Sequence, residues 1–184
     1  MPRLPAWRDG TVLNFKLRED LYTLAQMRIV GYLCFFDIRS ADGRWTGVRL
    51  DDVETLFCII VSDARLKPLI VGKLPPSAVA PSTKPMTTVF IKPYLYTGGG
   101  HPFRGGDLIQ IDERGETTSR PIIQRNLTAE RDDDVIRRHE LTNMWVEAEK
   151  VRERLIRYFD TGVNWDPHKE KVFPGITPPA PVSR

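Results

Sequence analysis

Residues Gly10 to Ile38 read GTVLNFKLREDLYTLAQMRIVGYLCFFDI, and this stretch decides the fold. Three apolar runs are broken by two punctuations, Arg18-Glu19-Asp20 and Val30-Gly31. Val12 and Leu13 lead to Phe15 and Leu17, with Asn14 and Lys16 between them. Ala25, Met27 and Ile29 then alternate with Gln26 and Arg28, and Tyr32 to Ile38 is almost wholly apolar and aromatic. Alternation at period two, with aromatic and β-branched residues between turn signals, predicts antiparallel strands joined by hairpins. Helical spacing fits these positions less well. The expectation is a three-stranded meander that curls into the start of a small barrel.

Working outward, Asp42-Gly43 is a hairpin signal and Asp51-Asp52-Val53-Glu54 a single acidic helical turn. Leu56 to Val61 shows no alternation, which predicts a strand covered on both faces. Further strands are expected at Leu69–Leu74, Thr88–Ile91 and Asp107–Asp112, with a return strand over Thr117–Ile123. From about Thr128 the period changes. Leu141, Met144, Trp145, Ala148, Val151, Leu155, Tyr158 and Phe159 recur at three- and four-residue spacing, which predicts one long helix over about 128–160. Asp132-Asp133-Asp134 suits its start, and Asp160-Thr161-Gly162 its stop. The fold class expected is therefore α+β: a strongly curled antiparallel sheet, an SH3-like half-barrel, packed by one long C-terminal helix. Residues 1–173 form a single domain, β-rich over 8–123, and the proline-rich residues 174–184 form a flexible tail.

Residues Gly10 to Leu17, then Tyr22 to Met27, then Phe35-Phe36-Asp37, resemble the opening of the immunity protein 26 family of bacterial polymorphic-toxin systems. Ile70-Val71-Gly72-Lys73-Leu74-Pro75 matches the Gly-x-Leu-Pro segment that follows in that family. Thr11 and Lys16 stand where family members carry Asp and Pro. The likeness covers roughly the first half of the chain. It implies a non-enzymatic inhibitor that binds a cognate bacterial toxin and blocks its active site, acting in the cytoplasm.

Composition is compatible with that reading. The chain has 184 residues and 41% hydrophobic content, ordinary for one globular domain. Its 27 basic and 24 acidic side chains are interspersed and leave a net charge of +3. Interspersed charge disfavours a nucleic-acid face, so the immunity reading expects no nucleic-acid partner. The small positive balance also argues against a strongly basic nuclease as the toxin. No apolar leader or membrane-length run is visible, so a cytoplasmic protein with no membrane partner is expected. Cys34 and Cys58 lie in apolar strands and read as buried small hydrophobes in a reducing compartment.

Residues for catalysis, metal or cofactor binding do not assemble in the sequence. The glycines of Gly98–Gly106 lead into Arg104 and then a strand, whereas a phosphate loop opens into a helix. His101, His139 and His168 lie in unlike contexts without metal-ligand spacing, and His139 reads as plain helix surface. His101 with Arg104 and Asp107 is the one acid–base grouping weighed, and it is set aside for a solvated loop. What remains is binding surface. Tyr94, Tyr96, His101, Phe103 and Arg104 gather aromatic and arginine side chains of the kind that dominate interfaces, and Asp51, Asp52 and Glu54 offer an acidic face. For Tyr94 and Phe103, anchoring the loop to the core is the competing role. A second reading is a nucleic-acid-binding module on a small β-barrel, for which a pI of about 8.9 is permissive.

Overall fold

The computed structural model describes residues 7–29, 31–61, 63–94, 104–112, 121–145 and 147–182. The meander forms as its alternation requires: β1 (Val12–Arg18), β2 (Leu21–Met27) and β3 (Tyr32–Ser40) pair antiparallel in order. Asp42-Gly43 makes the turn after β3, where Gly43 has φ +70°. β4 (Val48–Arg49) and a 3-10 turn (Leu50–Asp52) lead to β5 (Thr55–Val61), which pairs with β3. After α1 (Asp63–Leu66), β6 (Ile70–Leu74) returns to pair with β1. β7 (Val79–Ala80) pairs with β4, apart from this sheet. A second sheet follows from β8 (Val89–Pro93), β9 (Gly106–Gln110) and β10 (Ile122–Leu127). The strand returning along β9 thus begins at Ile122, and residues 117–120 of the expected return strand lie outside the described residues.

The remaining elements are α2 (Ala129–Arg138), β11 (Met144–Trp145), α3 (Ala148–Thr161) and α4 (His168–Val172). The single helix expected over 128–160 is therefore two helices with an extended link. His139 leaves the helix at φ −107°, and residues 140–145 stitch the two sheets together. Ile91 N–H donates to Glu140 O, Thr142 N–H donates to Ile91 O, and β11 lies parallel to Ile60 and Val61 of β5. Thr142 and Asn143 are weak helix formers, while backbone groups of β8 and β5 await partners at this point. Strand pairing outweighs helical period here. Gly162 ends α3 in the left-handed region (φ +74°), as the sequence signal requires.

The expected curled half-barrel is also corrected. The large sheet is open, in the order β11-β5-β3-β2-β1-β6, and apolar residues pack both of its faces. On one face Leu13, Phe15, Phe35 and Phe57 meet Val151, Leu155 and Phe159 of α3. On the other, Val12, Leu24, Tyr32 and Phe36 meet Trp45 and Val79, with Phe90 and Ile109 from the second sheet. A half-barrel hides one face; this sheet is the middle layer. Burying each aliphatic side chain of α3 contributes about 1.5–3 kcal/mol. A third core joins the second sheet to α2 and α4 through Ile91, Leu127, Ile136, Trp165 and Phe173. The segment after Pro174 is not wholly a free tail: Ile176 is buried in this third core, and Val182 N–H donates to Thr161 O.

The cysteine expectation is overturned. Cys34 and Cys58 face each other across β3 and β5 and form a disulfide. Disulfides persist in oxidising surroundings, so cysteine usage no longer supports a reducing compartment.

Candidate functional site: a cleft with a braced wall

A cleft of about 300 Å³ opens where β3 and β5 meet the segment before β8 and the end of α2. Cys34, Phe36 and Cys58 line it from the large sheet, Met86 from the connecting segment, Val89 from the start of β8, and Arg138, His139 and Glu140 from the helix exit.

The wall over Ser82–Lys84 has no secondary structure of its own, yet it is held on two sides. From β2, the Gln26 side chain makes a paired contact with Ser82: Ser82 N–H donates to Gln26 Oε1 at 2.7 Å, and Gln26 Nε2 donates to Ser82 O at 3.0 Å. Arg28 donates to Ser82 O and to Lys84 O, at 3.3 and 3.1 Å. From the 3-10 turn, Asp51 accepts Ser82 Oγ–H and Thr83 N–H at 2.8 Å, Thr83 Oγ1–H at 2.9 Å and Lys84 N–H at 3.3 Å. Hydrogen bonds led by the Ser82 hydroxyl hold the Asp51 carboxyl at a pKa of about 2. An irregular segment fixed in this way keeps its shape before any ligand arrives, which reduces the ordering cost of binding.

The rim is cationic. Lys84 and Arg138 are exposed, while Arg28 is turned inward onto the wall. His139 is half-buried, and burial draws its imidazole below the ordinary value against a hydrogen bond with the Val89 backbone; the Arg138 charge lowers it further. Glu140 does not offset the rim, because Arg154 engages both of its oxygens at 2.6 and 2.9 Å. An apolar floor beneath positive charge suits a segment carrying an apolar or aromatic side chain beside a carboxylate.

The residues expected to bind a partner are dispersed. Asp51 holds the wall segment of the cleft, as a brace rather than a free acid. Asp52 is exposed and lies 3.6 Å from Arg49, and Glu54 is exposed. Tyr94 ties the end of β8 to β9 and β10, its hydroxyl 2.6 Å from Asp107 Oδ1 and 2.7 Å from Asn126 Oδ1; burial and the Asp107 carboxylate raise its pKa. Arg104 is exposed on another recess, beside Leu127–Glu130 and Val172–Pro174. Tyr96, His101 and Phe103 lie outside the described residues.

Sequence reasoning missed Lys84, Met86, Arg138 and His139. The only local hint was the Thr142-Asn143 pair, whose weak helix propensity frees His139 from a helical surface. Among the described residues, no group of three or more His, Cys, Asp or Glu side chains is placed to hold a metal ion. No described helix is long and apolar enough to cross a membrane.

Fold and cleft define an α+β domain with an open, two-sided sheet and a preformed cationic recess. Over residues 1–178 the chain matches the family described as "Domain of unknown function (DUF8309)", and it belongs to that family. Neither a curated protein nor a solved structure matches it.

Proposed function

We propose that the chain is an immunity-type inhibitor that binds a cognate bacterial toxin and occludes its active site, with the cleft receiving a segment of the toxin. The observation that carries this reading is the braced wall at Ser82–Lys84 facing an apolar floor below Lys84 and Arg138. Likeness of Gly10–Asp37 and Ile70–Pro75 to the immunity protein 26 family supports the class of partner. The cationic rim favours an acidic loop on the toxin, in keeping with a partner that is not strongly basic. Inhibition needs no chemistry from the inhibitor, only a rigid surface held against the toxin's reacting groups.

The test pairs this chain with the C-terminal domain encoded beside its gene. Co-expression is expected to restore growth, and the two proteins are expected to co-elute on size exclusion. Unrelieved toxicity with no complex would remove the proposal.

A further inference from the structure

A second recess, of about 220 Å³, lies between α3 and α4 and shares no lining residue with the cleft. Lys150, Glu153, Arg154 and Arg157 line it from α3, and Pro167, His168 and Lys171 from the α4 side. Spacings of three, four and seven put the α3 residues on one helical face.

Cations outnumber carboxylates along the lining, with Asp166 and Glu170 also close enough to act on Arg157. Glu153 is the one carboxylate among the lining residues. Arg154 is committed elsewhere, to Glu140 and to Asn164 Oδ1, with its guanidinium 3.8 Å from the Phe57 ring centre. Asp166, behind the recess, is fully buried and accepts His168 N–H and Nδ1–H through Oδ1, each at 2.9 Å.

Arg157 is the informative residue. Its Nη2 donates to Trp165 O, while its Nε is buried without an acceptor among the described residues. Burial, and then the neighbouring Arg154, act against its positive charge, while the Glu170, Asp166 and Glu153 carboxylates act for it. An arginine does not shed its proton under such pressure, so an anion drawn into the recess would add to the electrostatic support of that charge and accept from the guanidinium N–H groups that face the recess. Lys150 sits in a solvated pair with Glu147 at 3.2 Å, and Lys171 is exposed. Both are long side chains able to close over a ligand.

We propose that this recess is an oxyanion site for the phosphate group of a small phosphorylated ligand, bound by Arg157, Lys150 and Lys171. Several N–H donors from separate side chains suit a tetrahedral dianion better than a planar carboxylate. The site is independent of the toxin-binding cleft and stands whether or not that reading holds.

The experiment is calorimetric titration of the full chain with inorganic phosphate and with phenyl phosphate, at constant ionic strength, with acetate as the carboxylate control. Saturable one-to-one binding of both phosphates is expected, weakened about tenfold or more by Lys171→Glu and by Arg157→Gln. Lys84→Glu/Arg138→Glu, in the cleft, is expected to leave it unchanged. Lys171 is exposed, so its variant reports on the site even if Arg157→Gln fails to fold. No saturable heat up to about 10 mM phosphate would overturn the proposal. So would acetate binding as tightly as phosphate, or undiminished binding by Lys171→Glu.

Discussion

Arg154 on α3 and Glu140 on the extended link form a two-point ion pair, with N···O distances of 2.6 and 2.9 Å. The arginine side chain is only 1% exposed, and its guanidinium also rests over Phe57 of β5. This pair ties the helix, the link between the sheets and the large sheet into one unit.

Removing one partner of a buried pair leaves the other uncompensated, a loss of about 3–5 kcal/mol. Arg154→Met is expected to destabilise at the lower end of that range, because Glu140 keeps some access to water. Glu140→Leu with Arg154→Met is expected to recover part of the loss. Urea denaturation of the two single variants and the double variant measures the coupling. Additive single losses would show that the two side chains act separately.

The Cys34–Cys58 disulfide closes a sequence separation of 24 residues, which corresponds to about 3.5 kcal/mol in the chain-entropy account. Denaturation midpoints with and without reductant are expected to differ accordingly, and Cys34→Ala/Cys58→Ala to resemble the reduced protein. A thiol titration of the unfolded, unreduced chain should find no free cysteine. Two titratable thiols would refute the crosslink.

Asp51 makes the braced wall sensitive to acid. Its folded pKa of about 2 lies below the ordinary 3.8. Its stabilising effect is therefore complete above pH 4 and is lost as pH falls from 4 towards 2. Amide exchange at Thr83 and Lys84 is expected to quicken over that window in the wild type, once corrected for intrinsic pH dependence. In Asp51→Asn it is expected to be fast throughout. Protection that survives in Asp51→Asn would show that Gln26 and Arg28 alone hold the wall.

The cationic rim is expected to act on association more than on folding. Lys84→Glu/Arg138→Glu should weaken binding of the proposed toxin partner by about tenfold or more and flatten its salt dependence, since exposed charges steer encounter and are screened by salt. Thermal stability should stay close to wild type. Unchanged affinity, measured by surface plasmon resonance at two salt concentrations, would move the interface away from the cleft.

The meander was legible because alternation in Val12–Leu17 and Ala25–Met27 follows directly from the pleat of a strand, with the apolar run Tyr32–Phe36 set off by a glycine turn, and the Asp42-Gly43 turn from a positive φ. The stripe Val151, Leu155, Tyr158, Phe159 was equally legible, as was its stop at Gly162. The split between α2 and α3 was hidden. Leu141 and Met144 carry helical spacing, while the groups that draw them into extended structure belong to Ile91, Ile60 and Val61. In the candidate site, Asp51 was visible as an acid but not as a brace, because Ser82 and Thr83 lie some thirty residues away.

Local periodicity and turn chemistry, both short-range and repeated along the chain, determined the strands of the meander, the α3 stripe and the mixed α+β class. Tertiary structure alone decided that the sheet is open and packed on both faces, that Cys34 meets Cys58, and that residues near 26, 51, 83 and 138 enclose one cleft. Such pairings bring together groups far apart in the chain, and their energy depends on which backbone and side-chain partners the fold leaves unsatisfied. No window of neighbouring residues records that.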